Sequence, residues 1–162
     1  MKLGVLADSH DHLDHLRRAV EALRAREVTA IVHAGDFVAP FSIPLLGEAG
    51  VPVFGVFGNN DGERVGLTSR FAEIGGQVWE RPLEVEIQGR RLLVLHEPFG
   101  LDGLVAAGTW SAIVYGHTHQ VDYRPGPTVV LNPGEVCGWV TGRPTAAVLD
   151  LETGEAEILD LS

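Results

Sequence analysis

Seven side chains able to bind a metal ion stand where apolar runs stop. Asp8 and His10 follow the run over residues 2–7, Asp36 follows 29–33, Asn59 follows 51–57, His96 follows 91–95, and His117 and His119 follow 112–115. Runs of β-branched and aromatic residues broken by a glycine or a polar residue read as buried strands entering turns. A layered sheet offers its chemistry at such ends. An imidazole carries a donor and an acceptor that burial obliges to find partners. Gly116-His117-Thr118-His119 is therefore a costly way to end a strand unless both rings are used, and metal ligation is the use that fits.

Taken singly, each residue has an ordinary reading. Asp36 after a strand is most simply a turn residue or helix cap, and His96 a satisfied core histidine. The set is more informative. Its donors are all oxygen and nitrogen, which suits Mn, Fe, Zn, Ni or Co better than calcium. A catalytic mononuclear site uses about three protein ligands, so seven candidates point to two ions sharing a bridging carboxylate, ~3.5–4 Å apart.

The elements that must position these groups follow from periodicity. Strands are expected over 2–7, 29–33 and 51–57, with helices over 12–26, 42–49 and 64–74 between and after them. In the first helix Leu13, Leu16, Ala19, Val20 and Leu23 share one face, and Asp11 is the expected N-cap. From residue 83 the rhythm changes. Residues 83–87 alternate, Gln88-Gly89 turns, and 91–95 returns as a hairpin partner. A short helix over 101–107 precedes the strand at 112–115, and strands over 128–131, 146–151 and 155–161 close the chain. A βαβαβ half followed by hairpins and one helix implies an α/β fold with mixed sheets, in a single domain spanning 1–162.

Composition narrows the function. An apolar content of 45% with 21% charged residues is that of an ordinary globular protein. No apolar run approaches the ~20 residues of a membrane span, and an acid at position 8 interrupts any signal-peptide core, so a cytoplasmic location is expected. Cys137 is the only cysteine, which excludes an internal disulfide and multi-cysteine zinc sites. A net charge of −10 disfavours nucleic acid as partner, but leaves room for a small phosphate ester, because bound divalent cations reverse the local sign.

In this order, Asp8-x-His10, Gly35-Asp36, Gly58-Asn59-x-Asp61, His96 and Gly116-His117-x-His119 resemble the motifs of calcineurin-like metallophosphoesterases. Asn132-Pro133-Gly134 resembles a segment of their small bacterial and archaeal phosphodiesterase branch. The resemblance implies a four-layer αββα sandwich with two mixed β-sheets. It also implies two divalent ions, manganese foremost with Ni, Fe, Zn or Co as alternatives. One ion would be held by Asp8, His10, Asp36 and His119, the other by Asp36, Asn59, His96 and His117. The implied activity is hydrolysis of a phosphate ester, a diester before a monoester, by in-line attack of a metal-bridging hydroxide, with Asp36, Asn59 and His117 as the catalytic group.

Three sites depart from the family pattern. Asn60 stands where many family phosphatases carry a histidine that assists the leaving group, and an amide cannot serve as that acid. Glu97-Pro98 and Glu135 replace the usual glycine and serine. Asn60 and His12 are the candidate substrate-binding residues, Asp61 a helix cap or a support for a ligand, and His33 a support for Asp36. His15 is expected to be exposed, the three tryptophans to pack or form interfaces, and residues 136–140 to serve a homodimer or tetramer. The rival reading is a scaffold that keeps the fold without turnover, as a eukaryotic retromer subunit does. Such a protein would be expected to have lost ligands, and here each ligand position is filled.

Overall fold

The computed structural model describes residues 1–162 and contains two sheets, packed face to face and covered on their outer faces by helices. The first sheet is built from β1 (Lys2–Leu6), β2 (Ala30–His33), β3 (Val53–Val56), β4 (Gln77–Trp79), β10 (Thr145–Asp150) and β11 (Ala156–Asp160), in the order β11-β10-β1-β2-β3-β4. Its β1 to β4 pairs are parallel, whereas β10 joins antiparallel to both β1 and β11. The second sheet holds β5 (Leu83–Ile87), β6 (Arg90–Val94), β7 (Ala112–Val114), β8 (Val121–Arg124) and β9 (Val129–Pro133), in the order β5-β6-β7-β9-β8. The β6-β7-β9 core of this sheet is parallel and its two edges are antiparallel.

Helices α1 (Leu13–Ala25), α2 (Ile43–Gly47) and α3 (Arg64–Glu73) cover the first sheet, and α4 (Leu101–Ala107) covers the second. The four-layer αββα architecture follows from strand periodicity. Side chains alternate between faces, so Val5, Val32, Val114 and Leu131 fill the layer between the sheets. Their neighbours Leu6 and Ile31 pack under α1 to α3, while Ile113 and Val130 pack under α4. Strands buried on both faces therefore read as continuous apolar runs.

The hairpin over β5 and β6, helix α4 and the βαβαβ half lie where the sequence pattern puts them. Two strands escaped it. β4 is three residues long and half-buried after Gly75-Gly76, and β8 reads Val-Asp-Tyr-Arg on a half-exposed edge, so neither carries an apolar signal. The α1 cap also differs: His12, not Asp11, occupies the N-cap and accepts from the His15 amide at 3.3 Å. Asp11 is taken by a tertiary partner, the Ala39 N–H at 2.9 Å. Leu13 stands at the solvent edge of the α1 apolar face rather than within it. No helix is long and apolar enough to cross a membrane.

Candidate metal centre

The carboxyl ends of β1, β2 and β3 from one sheet meet those of β6 and β7 from the other, and the loops leaving them are bonded together. The Asp8 N–H donates to Gly35 O and the His10 N–H to Asp36 O, each at 3.0 Å. Within the second sheet the Gly116 N–H donates to His96 O at 3.0 Å, and across the sheets the His117 N–H donates to Asp8 Oδ2 at 2.9 Å. Five of the seven candidate ligands then adopt a left-handed backbone, at φ of 52° for Asp8, 40° for His10, 60° for Asp36, 68° for His117 and 61° for His119. Side chains at positive φ are strained by about 1–3 kcal/mol each and persist only where the surroundings impose them. Here the inter-loop bonds do so, and the strain turns successive side chains toward one point.

All seven candidate side chains meet there. Asp8 Oδ1 lies 3.8 Å from His10 Nε2 and 3.5 Å from His119 Nε2. Asn59 Oδ1 lies 2.8 Å from His96 Nε2 and 3.1 Å from His117 Nδ1. Asp36 Oδ2 lies between the two groups, 3.4 Å from His10 Nε2 and 3.4 Å from His96 Nε2. Donor atoms at such separations neighbour one another around an ion with bonds of ~2.1 Å. Asp8 Oδ1 and His10 Nε2 are buried yet have no hydrogen-bond partner. Leaving a buried carboxylate oxygen unpaired costs about 1–3 kcal/mol or more, and a divalent cation would satisfy both atoms. The residues present therefore fit a metal centre.

A second set of groups holds these ligands. The buried Asp61 carboxylate accepts from the N–H groups of Asp36 at 2.9 Å, Val38 at 2.8 Å and Gly58 at 2.7 Å. It thereby fixes the Asp36 turn against the Asn59 turn, and leaves the capping of α3 to Glu63. Gly58 permits that approach, since a Cβ there would sit 2.1 Å from Asp36 Oδ1. Asn60 donates to both Asp36 oxygens at 2.8 Å, through its backbone N–H and its Nδ2. His96 Nδ1 donates to Ala34 O at 2.7 Å, which directs Nε2 inward. His33 does not touch the Asp36 side chain; its ring joins Ser9 Oγ at 3.0 Å and accepts from the Gly35 N–H at 3.2 Å.

Charge follows this layout. Burial would raise the Asp36 carboxyl, but the His96 ring and Asn60 outweigh it and hold it below the usual carboxylate range. The adjoining Asp8 raises the His10 imidazole against the opposing effect of burial. Burial lowers His96, yet Asp36 more than offsets it, so that ring is raised too. Two rings that hold protons more firmly beside carboxylates mark a pocket that attracts positive charge.

A family model described as the calcineurin-like phosphoesterase superfamily domain matches residues 1–154. The chain belongs to this superfamily. Phosphodiesterase MJ0936 of Methanocaldococcus jannaschii is 35% identical over 159 residues, covering 96% of each chain. A solved structure described as a novel archaeal phosphodiesterase superposes with a TM-score of 0.92, at 33% identity over 99% of both chains. The Escherichia coli phosphoesterase Yfce, at 20% identity and a TM-score of 0.69 over the full length of both, shares the fold.

The calcineurin-like phosphoesterase centre of this chain also has residues that lie outside the cluster. His12 stacks on His15 at 3.7 Å between ring centroids and has Trp139 at 4.7 Å, at the start of α1. His15 is half-buried rather than exposed, with Nδ1 3.0 Å from Cys137 O. Of residues 136–140, Val136 and Cys137 are buried, and only Trp139 and Val140 present apolar surface. Glu135, legible in sequence only as an acid after Asn132-Pro133-Gly134, is fully buried against His119. Two cavities flank the cluster. One of about 430 Å³ lies beside His96 and is walled by Leu93, Leu95, Phe99, Leu104 and Trp110, with Arg81 and Glu97 paired at 2.7 Å in its lining. The other, of about 280 Å³, lies beside His119 and carries Gln120, Thr141 and Arg143.

Proposed function

We propose that the chain hydrolyses a small phosphodiester, using two divalent cations held by Asp8, His10, Asp36, Asn59, His96, His117 and His119. The observation that carries this reading is the place of Asp36 Oδ2, 3.4 Å from the inward nitrogen of each flanking histidine. One carboxylate oxygen between two sets of donors is the arrangement a bridged pair of ions requires. Bound there, the cations would supply a nucleophile at neutral pH by lowering the pKa of water, and would offset charge on the phosphoryl oxygens.

The rest falls to the protein. Asp36, held by Asn60 and the Asp61-bound turn, keeps the two halves of the centre in register. His96 and His119 each give a ring N–H outward and direct Nε2 inward. Asn59 and His117 stand on the second side, where His117 is exposed enough to meet substrate. Asn60, also exposed, retains one amide hydrogen beyond its bond to Asp36 and is assigned to a phosphoryl oxygen, while His12 is assigned to the outer wall. With an amide at position 60 no side chain there can protonate the leaving group, which favours esters of acidic alcohols. The phosphodiesterase name of the Methanocaldococcus jannaschii relative supports a diester over a monoester. Manganese is the ion proposed first, as the resemblance to metallophosphoesterases implies, with Ni, Fe, Zn and Co as the alternatives that nitrogen and oxygen donors also suit. The single cysteine, buried and unpaired, supports a reducing cytoplasmic setting, and exposed Trp139 and Val140 support self-association.

Metal analysis, with Mn²⁺-stimulated hydrolysis of an aryl phosphodiester and the matching monoester, tests this. About two ions per chain and a faster diester reaction are expected, with Asn59→Ala and His117→Ala each losing more than the ~10–100-fold that a supporting residue costs. Substoichiometric metal, or unchanged activity in both variants, would refute the dinuclear proposal. A monoester rate above the diester rate would make the chain a phosphomonoesterase.

A further inference from the structure

We infer that Glu135 is a positioning residue that selects the tautomer of His119, a role that rests on the metal-centre reading above. The Glu135 side chain is wholly buried. Its Oε1 accepts from the Thr141 N–H at 2.6 Å and the Thr141 hydroxyl at 2.7 Å, and the Val140 N–H reaches both oxygens, at 3.1 Å from Oε1 and 3.2 Å from Oε2. Its Oε2 accepts from His119 Nδ1 at 2.5 Å and from the Cys137 thiol at 3.1 Å. The two Thr141 donors pin one oxygen, so the carboxylate cannot turn, and the other oxygen must face the ring.

A carboxylate only accepts. The proton of the neutral imidazole is therefore on Nδ1, and the lone pair is on Nε2, the atom 3.5 Å from Asp8 Oδ1. A ligand histidine whose far nitrogen bonds a carboxylate is held in orientation and made more basic. A buried negative charge is also costly unless fully bonded, and Glu135 meets that cost with donors from the loop over residues 137–141. The loop serves the acid, and the acid serves the ring.

Exchange of one atom reverses the geometry. In Glu135→Gln the two Thr141 donors still require an oxygen at the Oε1 position, so the amide NH₂ falls against His119 Nδ1. The ring must then accept there and carry its proton on Nε2, where it blocks ligation.

The test reads histidine ¹⁵N shifts in metal-free, ¹⁵N-labelled protein at a pH where the rings are neutral, and Mn²⁺ binding by chelator competition. Wild-type His119 is expected as the Nδ1–H form and Glu135→Gln as the Nε2–H form, with one of the two ions bound ~10–100-fold more weakly and the other unchanged. Thr141→Val removes a loop bond without touching His119, and should leave both readouts as in the wild type. An Nε2–H ring in the wild type overturns the inference even if the glutamine variant fails to fold. So does a Glu135→Gln protein that keeps the wild-type tautomer, or a Thr141→Val protein, whose Glu135 is still a carboxylate, that carries the His119 proton on Nε2. His119→Ala separates the two readings. If it weakens one ion and Glu135→Gln does not, only the positioning role falls; if it weakens neither, the metal-centre reading falls with it.

Discussion

The two sides of the site solve burial differently. On the Asp8 side, Asp8 Oδ1 and His10 Nε2 are buried with no partner. On the Asn59 side, the amide oxygen already has a partner able to donate, His117 Nδ1 at 3.1 Å. The first side carries an anion in a dry pocket; the second carries a neutral amide at the surface. Uncompensated charge in low dielectric is costly, while a paired amide is nearly neutral to stability. The Asp8 side is thus built for a cation at the expense of the bare fold, and the Asn59 side folds comfortably without one. Asp36 belongs to both.

That contrast can be broken in several ways. Asp36→Asn should have the largest effect, lowering kcat/KM by ~10³ or more and reducing both ions in metal analysis, because the shared anion is removed. Loss of one ion with the other intact would show that Asp36 does not bridge.

Next, Gly58→Ala puts a methyl group 2.1 Å from Asp36 Oδ1. It should cost about 2–4 kcal/mol in denaturant unfolding and most of the activity, and wild-type stability would mean that the Asp36 turn is free to move.

In metal-free protein the sides should respond with opposite sign. Asp8→Asn is expected to raise the melting temperature by about 2–6 °C as a buried charge with one unpartnered oxygen is relieved, and Asn59→Ala to lower it by about 2–4 °C. Shifts of the same sign, read by calorimetry, would dissolve the distinction.

A pH effect separates the scaffold from the ligands. Burial holds the His33 imidazole down at about 3 from an ordinary 6.5. Between those values the unfolded chain binds the extra proton, so the stabilising contribution of His33 is complete above pH 6.5 and is lost as pH falls toward 3. His33→Gln should flatten that part of the stability profile of the metal-free protein. The smallest effect belongs to Asn60→Ala. The backbone N–H bond to Asp36 survives, so activity should fall by less than ~10-fold.

Much of this centre can be read before any coordinates. The ligands sit one to four residues beyond apolar runs because strands buried on both faces must be apolar and must then turn, and turns are where polar side chains are tolerated. The same logic fails for edges. β4 and β8 are short and half-exposed, so their pairing comes from neighbours rather than from an internal pattern. It fails at Asp11 as well, where a bond to the Ala39 amide across the fold outcompetes a local cap.

By itself, then, the chain's order of residues settles which groups can ligate, that they are nitrogen and oxygen donors, and that they lie at strand ends. These are local matters of side-chain chemistry and periodicity. Tertiary structure decides how they converge. The left-handed turns at Asp8, His10, Asp36, His117 and His119 are unfavourable alone and exist because loops from two sheets bond one another. The facing of Glu135 and His119, sixteen residues apart, likewise depends on a buried carboxylate pinned by the loop that follows it. No spacing rule reports that, because hydrogen bonds between loops are made in space and not along the chain.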